Sequence, residues 1–226
     1  MPASSVKPTI VLVHGAWHCA ESFTVLRTTL HGRGWATEAP SHVTPGDTSG
    51  VANTGDNARV IRQVLQRLCD EGKVIIILAH SYGGCTASCA VEGLNFTKRA
   101  SRGEPGGVIM FIYLSAFIIP TGVTLKDAFG GELLPWHRIV GYSVYPENPG
   151  EIFYHDLDVA VKEKYIKLLK PEPLRIFGDT VTYDPWHDLK CAYVFCENDQ
   201  AIPLSIQRAM AARCMPLSVE EQQAGR

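Results

Sequence analysis

Residues 74–79 read Val-Ile-Ile-Ile-Leu-Ala, apolar at every position and rich in β-branched side chains, and they stop at a polar corner, His80-Ser81. A strand with one wet face alternates polar and apolar residues. One that is apolar throughout must be covered on both faces, as in a parallel sheet flanked by helices. The pattern recurs at residues 9–14, which end at Gly15, at 108–114 and at 191–196. Between these runs lie helical patterns. Phe23, Leu26 and Leu30 form a stripe within 21–32, stopped by Gly32 and Gly34. Ile61, Val64, Leu65 and Leu68 share a face within 56–71, away from Arg59, Arg62, Gln63 and Arg67. Residues 83–92 and 203–214 read as two more helices.

Strands alternating with helices predict an α/β chain built on a mostly parallel, doubly wound sheet. With 226 residues, 46% of them apolar, it is long enough for one core and is read as a single domain, 1–226. Residues 40–56, rich in Pro, Gly, Ser, Thr and Asp, are expected to form a long surface loop, and 98–107 a polar loop. Residues 120–187 change character, with many prolines and aromatics and one helical stretch near 157–169, and are expected to form an inserted helical cap.

Composition removes some partners. Lys plus Arg total 21 against 23 Asp plus Glu, a net charge of −2, which leaves no basic footprint for nucleic acid or an anionic membrane. The longest apolar run, 108–119, falls short of the roughly 20 residues that span a bilayer. Residues 1–7 are polar and lack the apolar core of a signal peptide, so a cytoplasmic protein is expected. Its seven cysteines lie largely in apolar segments and read as reduced thiols. Cys85 and Cys89 are four apart on an expected helix, with no second pair or nearby histidine, so neither a metal nor another cofactor is expected. The expected partner is a small-molecule substrate.

The chemistry concentrates at three strand ends. In Ala79-His80-Ser81-Tyr82-Gly83-Gly84, an apolar strand turns abruptly into a helix. Such a turn passes close to its neighbours and needs small residues two before and two after the corner, which Ala79 and Gly83 supply. Ser81 then stands exposed at a strained corner, with a helix N-terminus behind it offering N–H groups to a developing oxyanion. The His80 side chain is expected to point away from the Ser81 hydroxyl. His14-Gly15-Ala16-Trp17 ends the first strand, where the Ala16 N–H can aim at the same oxygen as the Tyr82 N–H. Glu197 and Asp199 follow the strand at 191–196, at the sheet edge where parallel sheets bind ligands. Asp199 is the better placed acid.

Together these segments resemble the α/β-hydrolase superfamily, in particular its small esterase-like branch of plant methylesterases and hydroxynitrile lyases. The resemblance runs through 11–17, 80–84, 114–122 and 194–203. It implies the α/β-hydrolase fold, Ser81 as nucleophile, Asp199 as the acid that orients a histidine, the Ala16 and Tyr82 amides as oxyanion hole, and a substrate-covering cap after Pro120. The family's chain order is Ser, then Asp or Glu, then His. All eight histidines (14, 18, 31, 42, 80, 137, 155 and 187) precede Asp199. Residues 218–226 resemble the approach to the histidine loop, and Arg226 stands where the histidine is expected. Arginine stays protonated and cannot serve as a base. The chain therefore reads as C-terminally truncated against its family, lacking a last helix, with a bare face that a homodimer would cover. His137 in the cap and His18 near the oxyanion loop are the candidate substitute bases. The expected activity is weak hydrolysis of a small, largely apolar ester or lactone. The alternatives are a non-hydrolytic lyase or cyclase on the same fold, and a non-catalytic small-molecule-binding protein.

Overall fold

The computed structural model describes residues 7–214. Its centre is a five-stranded parallel sheet of β1 (Thr9–Val13), β2 (Thr37–Glu38), β3 (Val74–Ser81), β4 (Gly107–Ala116) and β8 (Lys190–Val194), in the order β2-β1-β3-β4-β8. The chain leaves β1 for the β2 edge, then returns to β3 on the other side. This reversal opens a crevice at the C-terminal ends of β1 and β3, where open α/β sheets bind ligands.

The uniform apolarity of the strands is spent on two covered faces. On one, Ile10 and Leu12 pack with Phe23, Leu26 and Leu30 around α1 (Thr24–Gly32). On the other, Val11, Val13, Ile75 and Ile77 pack with Ile61, Leu65 and Leu68 of α2 (Thr54–Asp70). Each of those three α2 side chains contributes roughly 1.5–3 kcal/mol by leaving water. Asn53 and Asp56 close a reciprocal capping box at the α2 N-terminus, so the helix begins two residues before its apolar stripe suggests. α3 (Gly83–Val91) follows the corner after β3, and α8 (Leu204–Cys214) follows β8.

Three features depart from the expectations. The two-residue β2 is too short to carry a pattern. The expected polar loop at 98–107 begins with α4 (Phe96–Ser101), capped by the Asn95 side chain on the Lys98 N–H. In the loop at 40–56, His42 and Thr44 are buried.

The segment between β4 and β8 carries short helices, α5 (Leu125–Ala128), α6 (Pro149–Ile152) and α7 (Val159–Ile166). It also holds an antiparallel sheet that periodicity does not reveal: β5 (His137–Val140), β6 (Ser143–Pro146) and β7 (Glu172–Pro173). Among the described residues no helix is long and apolar enough to cross a membrane, and no cluster of His, Cys, Asp or Glu is arranged to hold a metal ion. Residues 218–226, where the approach to the histidine is expected, lie outside the described residues.

Candidate active site

The corner at Ser81 is built from close backbone approach. Ser81 has φ 53°, in the left-handed region that a side chain rarely adopts. The β3–β4 register slips between His80 and Ser81, and the Phe117 N–H donates to the Ser81 carbonyl at 3.0 Å, which holds the kink. A Cβ at Gly83 would lie 2.5 Å from the Val13 carbonyl oxygen, and one at Gly84 2.2 Å from that of Phe117. Both glycines are therefore obligatory for the passage from β3 into α3. Ala79 is fully buried, so a small side chain suffices before the turn.

Gly15 faces the corner from the β1 side. A Cβ there would sit 2.8 Å from the Ser81 Cβ and 3.2 Å from its Oγ. Among the described residues nothing hydrogen-bonds to the Ser81 hydroxyl, and neither the Ala16 nor the Tyr82 N–H donates to a described group. The Tyr82 side chain is anchored in the core, its hydroxyl 2.8 Å from Thr54 Oγ1 and its ring edge-on to His42. Its main-chain N–H is thereby fixed.

The loop after β1 is tied to the segment between β4 and β8. Trp17, at φ 63°, donates its main-chain N–H to Glu172 Oε1 and its indole N–H to the Val144 carbonyl, each at 2.9 Å, and its own carbonyl accepts from the Lys170 N–H at 3.0 Å. Glu172 is fully buried, and burial pushes its carboxyl up to about 7 against the opposing pull of the Thr44 hydroxyl and the Trp17 N–H. Sequence reading missed this residue. Pro171 and Pro173 mark an extended segment there, but nothing local identifies a partner 155 positions away.

Asp199 and Glu197 separate clearly. Glu197 is exposed, whereas Asp199 lines the same cavity as Ser81. Asp199 Oδ1 accepts from the Ala201 and Ile202 N–H groups at 2.8 and 2.9 Å, and its Oδ2 accepts from the hydroxyl of Ser115. Ser115, at φ 38°, is the next-to-last residue of β4 and lies on the cavity wall. Buried Gln207 of α8 clamps the acid loop by accepting from the Cys196 N–H and donating to the Cys196 and Ile202 carbonyls, at 3.0, 2.9 and 2.7 Å.

None of the eight histidines hydrogen-bonds to Ser81 or Asp199. His14 donates from Nδ1 to the Gly15 carbonyl and accepts at Nε2 from the His42 N–H, so its lone pair is used, and burial lowers it to about 4. His18 is held in the same way, Nδ1 to the Ala16 carbonyl at 2.7 Å and Nε2 accepting from the Tyr154 hydroxyl at 3.0 Å. His137 has no partner at either ring nitrogen, and burial lowers it to about 4. His80 faces the cavity wall rather than away from it. The chain bends at Ser81, and burial with His18 and His14 nearby lowers His80 to about 3.

These groups line a cavity of about 470 Å³ between the sheet edge and the cap, walled by Trp17, Phe117, Phe129, Trp136, Phe153 and Phe177. A strained serine at a strand–helix corner, beneath a cap and beside a loop with a free N–H, defines the hydrolase class of α/β folds. The chain belongs to the Alpha/beta hydrolase family, which matches residues 10–225. It is 26% identical over 215 residues to the alpha/beta hydrolase nvfD of Aspergillus novofumigatus, covering 91% of this chain and 84% of that one. It is also 26% identical over 185 residues to a carbendazim-hydrolyzing esterase of Nocardioides, covering 80% of this chain and 66% of the esterase. Among solved structures, polyneuridine aldehyde esterase shares the fold with a TM-score of 0.74 at 17% identity, covering 92% of this chain and 87% of that chain. The Arabidopsis methylesterase MES16 does so with 0.73 at 21%, covering 94% and 88%.

Proposed function

We propose that the chain is a serine hydrolase acting on a small, largely apolar ester or lactone, with Ser81 as its nucleophile. The observation that carries this reading is the isolated Ser81 hydroxyl, held at φ 53° on the wall of an aromatic cavity that Ala16 and Tyr82, their main-chain N–H groups unengaged among the described residues, also line. Attack of Oγ on the substrate carbonyl forms a tetrahedral oxyanion, which the Ala16 and Tyr82 N–H groups stabilise. Collapse expels the alcohol and leaves an acyl-serine, and water releases the acid. The relatives and neighbours named esterases support this reading.

The Ser81 proton needs an acceptor, and among the described residues His137, His80 and His155 bring ring nitrogens without a hydrogen-bond partner to the cavity wall. His137 and His80, lowered to about 4 and about 3, are weak bases, and a base far below the working pH accelerates proton removal little. Asp199 acts by holding the wall at Ser115 and the acid loop. Cys19, Cys69, Cys85, Cys89, Cys191 and Cys196 are unpaired thiols, which supports a cytoplasmic setting.

A fluorophosphonate should label the purified protein, and Ser81→Ala should abolish both the label and any ester turnover. Unlabelled wild type, together with Ser81→Ala identical to it in ester assays, overturns the reading. The engagement of Asp199 by Ser115 rather than by a histidine favours one second reading, a protein that binds its ligand without turning it over. That reading predicts ligand-induced thermal stabilisation unaffected by Ser81→Ala.

A further inference from the structure

His137 opens β5 at the cavity wall, 9% exposed, with neither ring nitrogen partnered by any group of the protein. Its ring is enclosed by others, with centroids 4.2 Å from Trp136, 5.0 Å from Phe177, 5.3 Å from Trp17 and 6.1 Å from Phe129. A buried polar group without a partner is costly, and a residue with the same shape and no nitrogens would spare the protein that cost. His14 and His18, buried nearby, have both nitrogens engaged and buried His42 lacks a partner only at Nδ1, so among these His137 is left with neither nitrogen met. A neutral imidazole offers one N–H donor and one lone pair, and the surrounding ring faces favour a flat, π-rich ligand in offset contact.

We propose that the ligand of this cavity is a planar arene bearing a hydroxyl or carbonyl oxygen, and that His137 recognises that oxygen. This specifies the substrate class of the hydrolase reading and rests on it for the fate of the ligand, though not for its binding. His137 is then a specificity residue: a phenolic O–H donates to its free lone pair, or a ring carbonyl accepts from its N–H. The ring stacks against the Trp136 side of the cage.

The test is binding of 2-naphthol against naphthalene, followed by tryptophan fluorescence, in the wild type and in His137→Phe, which keeps an aromatic ring and removes both nitrogens. The wild type should bind 2-naphthol at least about tenfold more tightly than naphthalene. In His137→Phe the two affinities should fall within about threefold of each other, with naphthalene binding retained. Should His137→Phe fail to fold, His137→Gln, which keeps a donor and an acceptor, must preserve the preference, and the wild-type His137 ring ¹⁵N resonances must shift with 2-naphthol and not with naphthalene. Equal affinities in the wild type, an undiminished preference in His137→Phe, or unshifted ring resonances overturn the proposal. No turnover is involved, so failed labelling of Ser81 with an intact naphthol preference sinks only the hydrolase reading. The converse result sinks only this one.

Discussion

At Gly15 a single hydrogen stands where any other residue would carry a carbon. A methyl group there meets Ser81 at 2.8 Å from Cβ and 3.2 Å from Oγ, and the Ser81 backbone cannot retreat because its carbonyl is held by the Phe117 N–H. Gly15→Ala should therefore fold, at a cost of about 1–3 kcal/mol for overpacking. It should also slow fluorophosphonate labelling of Ser81 by about a hundredfold, the scale expected for a misplacement near 1 Å. Thermal denaturation beside a labelling time course checks this, and a variant that labels at the wild-type rate refutes it. The corner itself was legible in the sequence, since Ala79, Ser81 and Gly83 act through their immediate neighbours. The role of Gly15 was not, because its constraint comes from a residue 66 positions away that only the β1–β3 pairing brings alongside.

Elements position the remaining groups. The loop after β8 carries Asp199 on two local N–H donors, but Gln207 of α8 sets its course by meeting both main-chain groups of Cys196 and the Ile202 carbonyl. Gln207→Ala leaves these groups short of partners, at about 1–3 kcal/mol for each that stays buried and unmet. Amide exchange should rise first across 196–202 and leave β1 and β3 protected. Uniform loss of protection would show that Gln207 has no local role. At this scale the apolar runs announced four of the five sheet strands, because a strand buried on both faces is apolar whatever its partners. The cap sheet β5–β7 was hidden. Its strands are two to four residues long, and the run His137-Arg138-Ile139-Val140 leaves no alternation to read.

Over the whole molecule, a buried acid ties the cap to the sheet and makes the fold depend on pH. The Glu172 carboxyl, raised from 4.5 to about 7 by burial, is neutral in the folded chain where it would be ionised in the unfolded one. The stability it contributes is fully present below pH 4.5 and is lost as pH rises through about 7, a change of about 3 kcal/mol. Glu172→Gln keeps an oxygen for the Trp17 N–H and cannot ionise. Denaturant titrations from pH 5 to 9 should show the wild type weakening against Glu172→Gln, which becomes the more stable of the two above pH 7. Parallel curves for the two proteins would rule this out.

Trp17 meets residues of β6, β7 and the segment just before β7 through three bonds, and the next residue back, Ala16, supplies one of the proposed oxyanion donors. Roof and catalyst are thus one mechanical part. On the proposed reading, lifting that side of the cap would drag the Ala16 amide with it, so the grip on the oxyanion would hold only while the chamber is shut on that side.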